Sequence, residues 1–198
     1  KLNIQGSGNI ADFALSERFP NLETLSILFT PDLTTLPRDL NRLANLQKVE
    51  LIGTTFTALP DHIGTLSVSQ LLIAHNPLLM TIPNLEGPVE ELYIQNNPQL
   101  NALPTQLGSS RELRVLDLSD NALKGLPSSI KQYDGLRTLN LRGNKLQTLP
   151  ESMKSLRRLR TLDISDNPIS TLPTALGQLF DIEELIVHNL DQITDFPD

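Results

Sequence analysis

Between residues 113 and 173 the chain repeats itself every 23 residues, and a period of that length leaves few folds open. Three consecutive segments, LRVLDLSDNALKGLPSSIKQYDG, LRTLNLRGNKLQTLPESMKSLRR and LRTLDISDNPISTLP, hold Leu, Asn and Pro in one register. The shared pattern is L-x-x-L-x-L-x-x-N-x-L-x-x-L-P, followed by apolar residues three apart. A unit this short cannot bury its own leucines, so successive units must stack and share one core.

The register extends over nearly the whole sequence. Units open at Leu22, Leu46, Val68, Val89, Leu113, Leu136, Leu159 and Ile182, and Leu2, Ile4, Ser7, Ile10 and Phe13 fit a partial unit that opens ahead of Lys1. One continuous domain over residues 1–198 is expected, with about nine repeats, the first and last incomplete. Neither end has the polar character of a capping repeat, which a solenoid needs to cover its terminal core. The expectation is a segment excised from a longer protein.

Each unit is predicted to supply a very short strand, for example residues 116–118 and 139–141. Alternation sends Leu116 and Leu118 inward and Asp117 outward. The ninth position then turns the chain. There Asn76, Asn97, Asn121, Asn144 and Asn167 can satisfy backbone groups that the turn would otherwise bury unpaired. Ser7, Thr30 and Thr54 can do part of this with a hydroxyl, whereas Leu190 cannot. On the return path Pro37, Pro127 and Pro150 each precede apolar residues spaced by three. Proline suits the first position of a helical turn, so one short helical or 3₁₀ turn per unit is expected. The unit of Val68 has only residues 84–88 after Pro83, which predicts an irregular loop.

The 23-residue LPxxI-type unit resembles the leucine-rich repeat of the Ras-group intracellular proteins. It is also similar to the leucine-rich repeat domains of bacterial effectors delivered into host cells. The stretches TPDLTTLP, NPLLMTIP and NPQLNALP carry an extra residue after the turn, a variation seen in plant immune-receptor repeats and some effector repeats. The resemblance implies an α/β leucine-rich repeat solenoid: a curved, parallel concave sheet with short helical or 3₁₀ turns and loops on the convex side. It implies binding of another protein. Two further roles come with it, the substrate-recognition half of a larger effector enzyme such as a ubiquitin ligase, and a signalling scaffold for a small GTPase or phosphatase.

Composition narrows the partner. No run of eighteen apolar residues exists, so no transmembrane helix is expected. Cysteine and Asn-x-Ser/Thr sites are absent, which favours a cytoplasmic setting, including a host cytoplasm after secretion. The net charge of −7 argues against nucleic acid and anionic membranes. That mean conceals segregation: residues 49–110 have no Lys or Arg, residues 111–160 hold 11 basic against 5 acidic residues, and residues 161–198 again have no basic residue. In a solenoid, blocks of sequence become bands of surface.

Positions three, five, seven and eight of each unit are expected on the concave face. In the N-terminal half they include Leu28, Phe29, Ile52, Leu72, Ala74, His75 and Tyr93, large or apolar residues where the pattern points to solvent. Two readings stand: a shifted register or cover by a neighbouring domain, and a contact surface anchored by Phe29 and Tyr93. The C-terminal half shows Asp117, Asp120, Asn140, Arg142, Asp163 and Asp166, an ordinary solvated variant of the repeat with Arg142 neutralising part of it. Arg114, Arg137 and Arg160 share the second position of successive units and should stack at about 4.8 Å per step, with Arg111, Arg157 and Arg158 on the same rim. Either Glu112, Asp117, Asp134 and Asp163 offset them, or the rim docks an acidic or phosphorylated partner.

Catalysis has little support. His75 and His188 lie five units apart, about 24 Å at strand spacing, and His62 is on the return path. There is no thiol, no G-x-S-x-G elbow and no phosphate loop. The expectation is a binding domain with no cofactor, no metal and no catalytic residue of its own.

Overall fold

The structure, a computed structural model, describes residues 1–6, 10, 13–109, 111–190 and 193. Among them, nine parallel strands form one sheet in chain order: β1 (Leu2–Gln5), β2 (Thr24–Leu28), β3 (Lys48–Ile52), β4 (Gln70–Ala74), β5 (Glu91–Gln95), β6 (Val115–Asp117), β7 (Thr138–Asn140), β8 (Thr161–Asp163) and β9 (Glu184–Ile186). The register pairs like positions of successive units, Leu92 with Leu116 and Leu116 with Leu139. Leu116, Leu118, Leu139 and Leu141 are fully buried between the sheet and the return segments. The leucine-rich repeat solenoid expected from the pattern is what forms.

The strands are not all alike, and in β2 to β8 the residue at the fifth position of the unit accounts for their lengths. In β2 to β5 that position holds Ser26, Glu50, Leu72 or Tyr93, and the strand runs five residues. In β6 to β8 it holds Asp117, Asn140 or Asp163. Their side chains accept the N–H of Ser119, Arg142 and Ser165, two residues on, at 2.9, 3.1 and 2.9 Å. Such a local bond competes with the ladder, so these strands stop after three residues. They lie at 115–117 and 138–140, one residue earlier than the sequence indicated.

Asparagines thread the ninth position. Asn144 donates through Nδ2 to the carbonyls of Leu118 and Leu141 and accepts from the Leu123 N–H. Asn76 accepts both the N–H and the hydroxyl of Thr54. Thr30 departs from expectation, since its buried hydroxyl has no partner among the described residues. Ser7 lies outside the described residues.

On the convex side, 3₁₀ turns form at Leu40–Arg42, Asp61–Thr65, Ser128–Gln132, Glu151–Ser155 and Thr174–Gln178. Pro60, Pro127, Pro150 and Pro173 cap four of them from an extended conformation, one residue earlier than expected, and their carbonyls accept the first turn bond. The unit of Val68 lacks a turn, as anticipated. Among the described residues the unit of Val89 lacks one too, which was not anticipated. Leu85 and Leu107 form a parallel bridge there instead, and the extended backbone leaves an N–H with no turn to satisfy it. Tyr133 fills this space: it is 1% exposed, and its hydroxyl accepts the Leu107 N–H at 2.7 Å.

Candidate functional site

The concave face divides where the strands shorten. Leu28 and Ile52 are register neighbours in β2 and β3, and Leu72 and Tyr93 are neighbours in β4 and β5. All four are half-buried, with one side presented to solvent. Tyr93 is held by Glu91, whose Oε2 accepts its hydroxyl at 3.1 Å and the Gln70 amide at 2.6 Å. Burial and the Glu91 carboxylate push the Tyr93 hydroxyl above its ordinary pKa, so it stays a neutral donor and the ring stands fixed. Ala74 is a correction: it is buried, because its methyl group is too short to rise above Ile52 and Gln95 on either side.

Phe29 stands out in its backbone. The eighth position of every unit is left-handed, and its occupants are Gly6, Phe29, Gly53, His75, Asn96, Asp120, Gly143, Asp166 and Asn189. Glycine, asparagine and aspartate tolerate that conformation; a bulky side chain is an outlier there. Phe29, at φ 49°, is nevertheless 57% exposed. Its ring lies over Gly53, where a Cβ would collide with it. Burial does not compensate this strain. Phe29→Asn should therefore raise stability by about 1 kcal/mol, read from chemical unfolding. A loss of stability would mean that the ring's contact with Gly53 outweighs the strain.

His75 is exposed and, with Pro77, Asn96, Pro98 and Asp120, lines a shallow recess of about 360 Å³. Arg142 does not join the apolar group. It lies three units beyond Ala74 and bonds Asp166 at 2.7 Å. That bond, with one from Asn189, holds the Asp166 carboxyl below its usual range. Asp117 is occupied as well, accepting from Ser119 and from the Asn140 amide. Among the described residues no three His, Cys, Asp or Glu side chains converge on a metal position.

The arginine column is continuous. The Arg137 N–H donates to the Arg114 carbonyl and the Arg160 N–H to that of Arg137, both at 2.8 Å. Glu90 and Glu183 extend the same ladder at either end. None of the four carboxylates Glu112, Asp117, Asp134 and Asp163 lies within 4.0 Å of an arginine of the column. Among the described residues only Arg160 has an acidic partner, Glu183 at 3.0 Å, with both side chains more than half exposed. Arg111, Arg157 and Arg158 are exposed.

Sequence reasoning missed several exposed apolar residues, among them Leu78, Met80 and Phe180. For the first two a signal existed, since alternation in LLM around buried Leu79 sends its neighbours outward. Phe180 follows the last apolar residue of its unit and falls outside the pattern.

A family model described as leucine rich repeat matches residues 88–146, 111–169 and 134–189. No curated protein matches the chain. Among solved structures, the chain is similar to a leucine-rich repeat protein of Leptospira interrogans, at 24% identity and a TM-score of 0.60, over 91% of this chain and 52% of that one. It is also similar to the leucine-rich repeat domain of the type III effector XopL, at 23% identity and a TM-score of 0.41, over 98% of this chain and 54% of that one. The chain thus spans about half the length of each.

Proposed function

Because the chain belongs to the leucine-rich repeat family, we propose that it is a target-recognition domain that binds another protein through the concave face and the arginine rim. Domains of this family generally mediate protein–protein interaction. The observation that carries the reading is the pairing of Leu28 with Ile52 on adjacent strands, with Phe29 directly after Leu28 and the pair Leu72 and Tyr93 on the next two strands. A contiguous apolar patch of this kind on a protein surface marks a contact site, and Phe29 holds an aromatic ring in water at a cost to its own backbone. Tyr93 and Phe29 are the anchors, since aromatic residues dominate interface energetics. Arg114, Arg137 and Arg160, with Arg111, Arg157 and Arg158, hold an acidic part of the same partner.

In this reading residues 1–198 are one repeat domain of a longer intracellular protein, with units of the LPxxI type. Any catalysis belongs to a part of that protein outside the chain. No helix among the described residues is long and apolar enough to cross a membrane.

The test is capture of the partner from candidate lysates, followed by titration with the purified partner. Tyr93→Ala should weaken binding about tenfold and leave the fold intact. The triple change Arg114→Gln, Arg137→Gln, Arg160→Gln should keep or slightly raise thermal stability, because it removes mutual repulsion and only one exposed ion pair. It should weaken binding in a salt-sensitive way. Binding of both variants as tight as that of the unchanged chain would overturn the reading.

A further inference from the structure

A groove of about 720 Å³ opens between the 3₁₀ turns Glu151–Ser155 and Thr174–Gln178 and the residues that follow them. Lys154, Arg157 and Arg158 line one part of it; Phe180 and Asp181 line the other. Phe180 is 86% exposed. Its place in the repeat accounts for this: Asp134 and Arg157 occupy the same position in the two preceding units, each with a following unit stacked on it, and both are exposed. Stacking of repeats does not cover that position, so the ring serves no core. The three cations are equally unused. Among the described residues none has a carboxylate within 4.0 Å; the ion pairs there are Lys48–Glu50, Arg142–Asp166 and Arg160–Glu183. In a chain of net charge −7, a local excess of cations beside an aromatic ring selects an anion that the rest of the surface repels.

We propose that this groove binds an acidic peptide segment of the partner, with carboxylates on Lys154, Arg157 and Arg158 and one large apolar side chain against Phe180. This rests on the reading that the rim contacts an acidic partner, and it assigns that partner a composition and a polarity. Carboxylates fit better than a single phosphate. Three cations line an open groove of about 720 Å³, and a peptide can bring a separate carboxylate to each, whereas one phosphate is a single centre of charge. Asp181 repels acids at the Phe180 end, which sets the apolar residue there.

The experiment titrates the whole chain with three fluorescein-labelled decapeptides by anisotropy. One alternates Asp and Glu around a central Leu, one replaces every acid with its amide, and one carries a single phosphoserine with no Asp or Glu. Saturable binding of the first alone is expected. Arg157→Gln with Arg158→Gln should weaken it about tenfold, and Phe180→Ser about fivefold, as removal of buried interface anchors and charge pairs does. Lys124→Gln with Lys145→Gln, an equal charge change elsewhere, should stay within about twofold, since charges away from the contact act only weakly. Equal binding of the amide peptide, or binding of the phosphoserine peptide alone, overturns the proposal. So does self-association of the chain that Phe180→Ser abolishes, because the occupant would then be a second copy. If Tyr93→Ala abolishes peptide binding and the arginine changes do not, the groove is overturned and the concave-face reading stands.

Discussion

Replacing Asn144 with leucine is expected to lower the unfolding free energy by about 3 kcal/mol, because each buried polar group left unpaired costs about 1–3 kcal/mol. Asn144 is 6% exposed and serves two neighbouring units at once. Its Nδ2 donates to Leu118 and Leu141, and its Oδ1 accepts from Leu123. Leucine is nearly the same size, so the packing survives while the buried Leu123 N–H is left unpaired and the Leu118 and Leu141 carbonyls each fall back on one remaining donor, Asn121 and Asn167. Thr30→Val is the contrast. The Thr30 hydroxyl is buried with no partner among the described residues, so its removal should be neutral or slightly stabilising. Urea unfolding of both variants measures the difference, and an Asn144→Leu midpoint equal to that of the unchanged chain would sink the ladder argument.

Gly87→Ala should be about as damaging, at about 3 kcal/mol, near the upper end for overpacking. A Cβ at Gly87 would run into the carbonyl of Leu66, and the next nearest atoms are also backbone. Rotation of a side chain cannot relieve such an overlap. The Glu86 and Gly87 N–H groups both donate to the Gly64 carbonyl, so the segment has no freedom to retreat. Repeats are stable only through their neighbours, and the damage should spread to the bridge between Leu85 and Leu107. Hydrogen exchange should show faster loss at Gly108, whose N–H donates to Leu85. Gly125→Ala has open space around it and should be neutral; equal effects at the two glycines would mean that close approach is not what Gly87 supplies.

Much of this was legible because the repeat states its own register. The period located nine units, the alternation within L-x-L chose the faces, and the Asn column marked the turns. The arginine column is visible for the same reason: residues 23 apart must be neighbours across strands once the solenoid is accepted. Strand length was also present in the sequence, in Asp117, Asn140 and Asp163, but reading it requires knowing that the side chain bonds two residues ahead and not across the sheet.

By itself, then, the sequence determined most of what depends on position within a unit: which leucines of the stacked units are buried, which residues stack, and where the asparagines turn the chain. Periodicity carries that information directly, since each unit meets the same constraints as the one before. The tertiary structure alone decided what departs from the period. Tyr133 became a hydrogen-bond acceptor because an adjacent unit lost its turn. Ala74 sank below its neighbours. The Phe29 ring came to lie over Gly53 of the next unit, and Phe180 met Arg157 and Arg158 in one groove. Each of these is a relation between units, fixed by the distance between two backbones, and a pattern read along one chain has no way to express it.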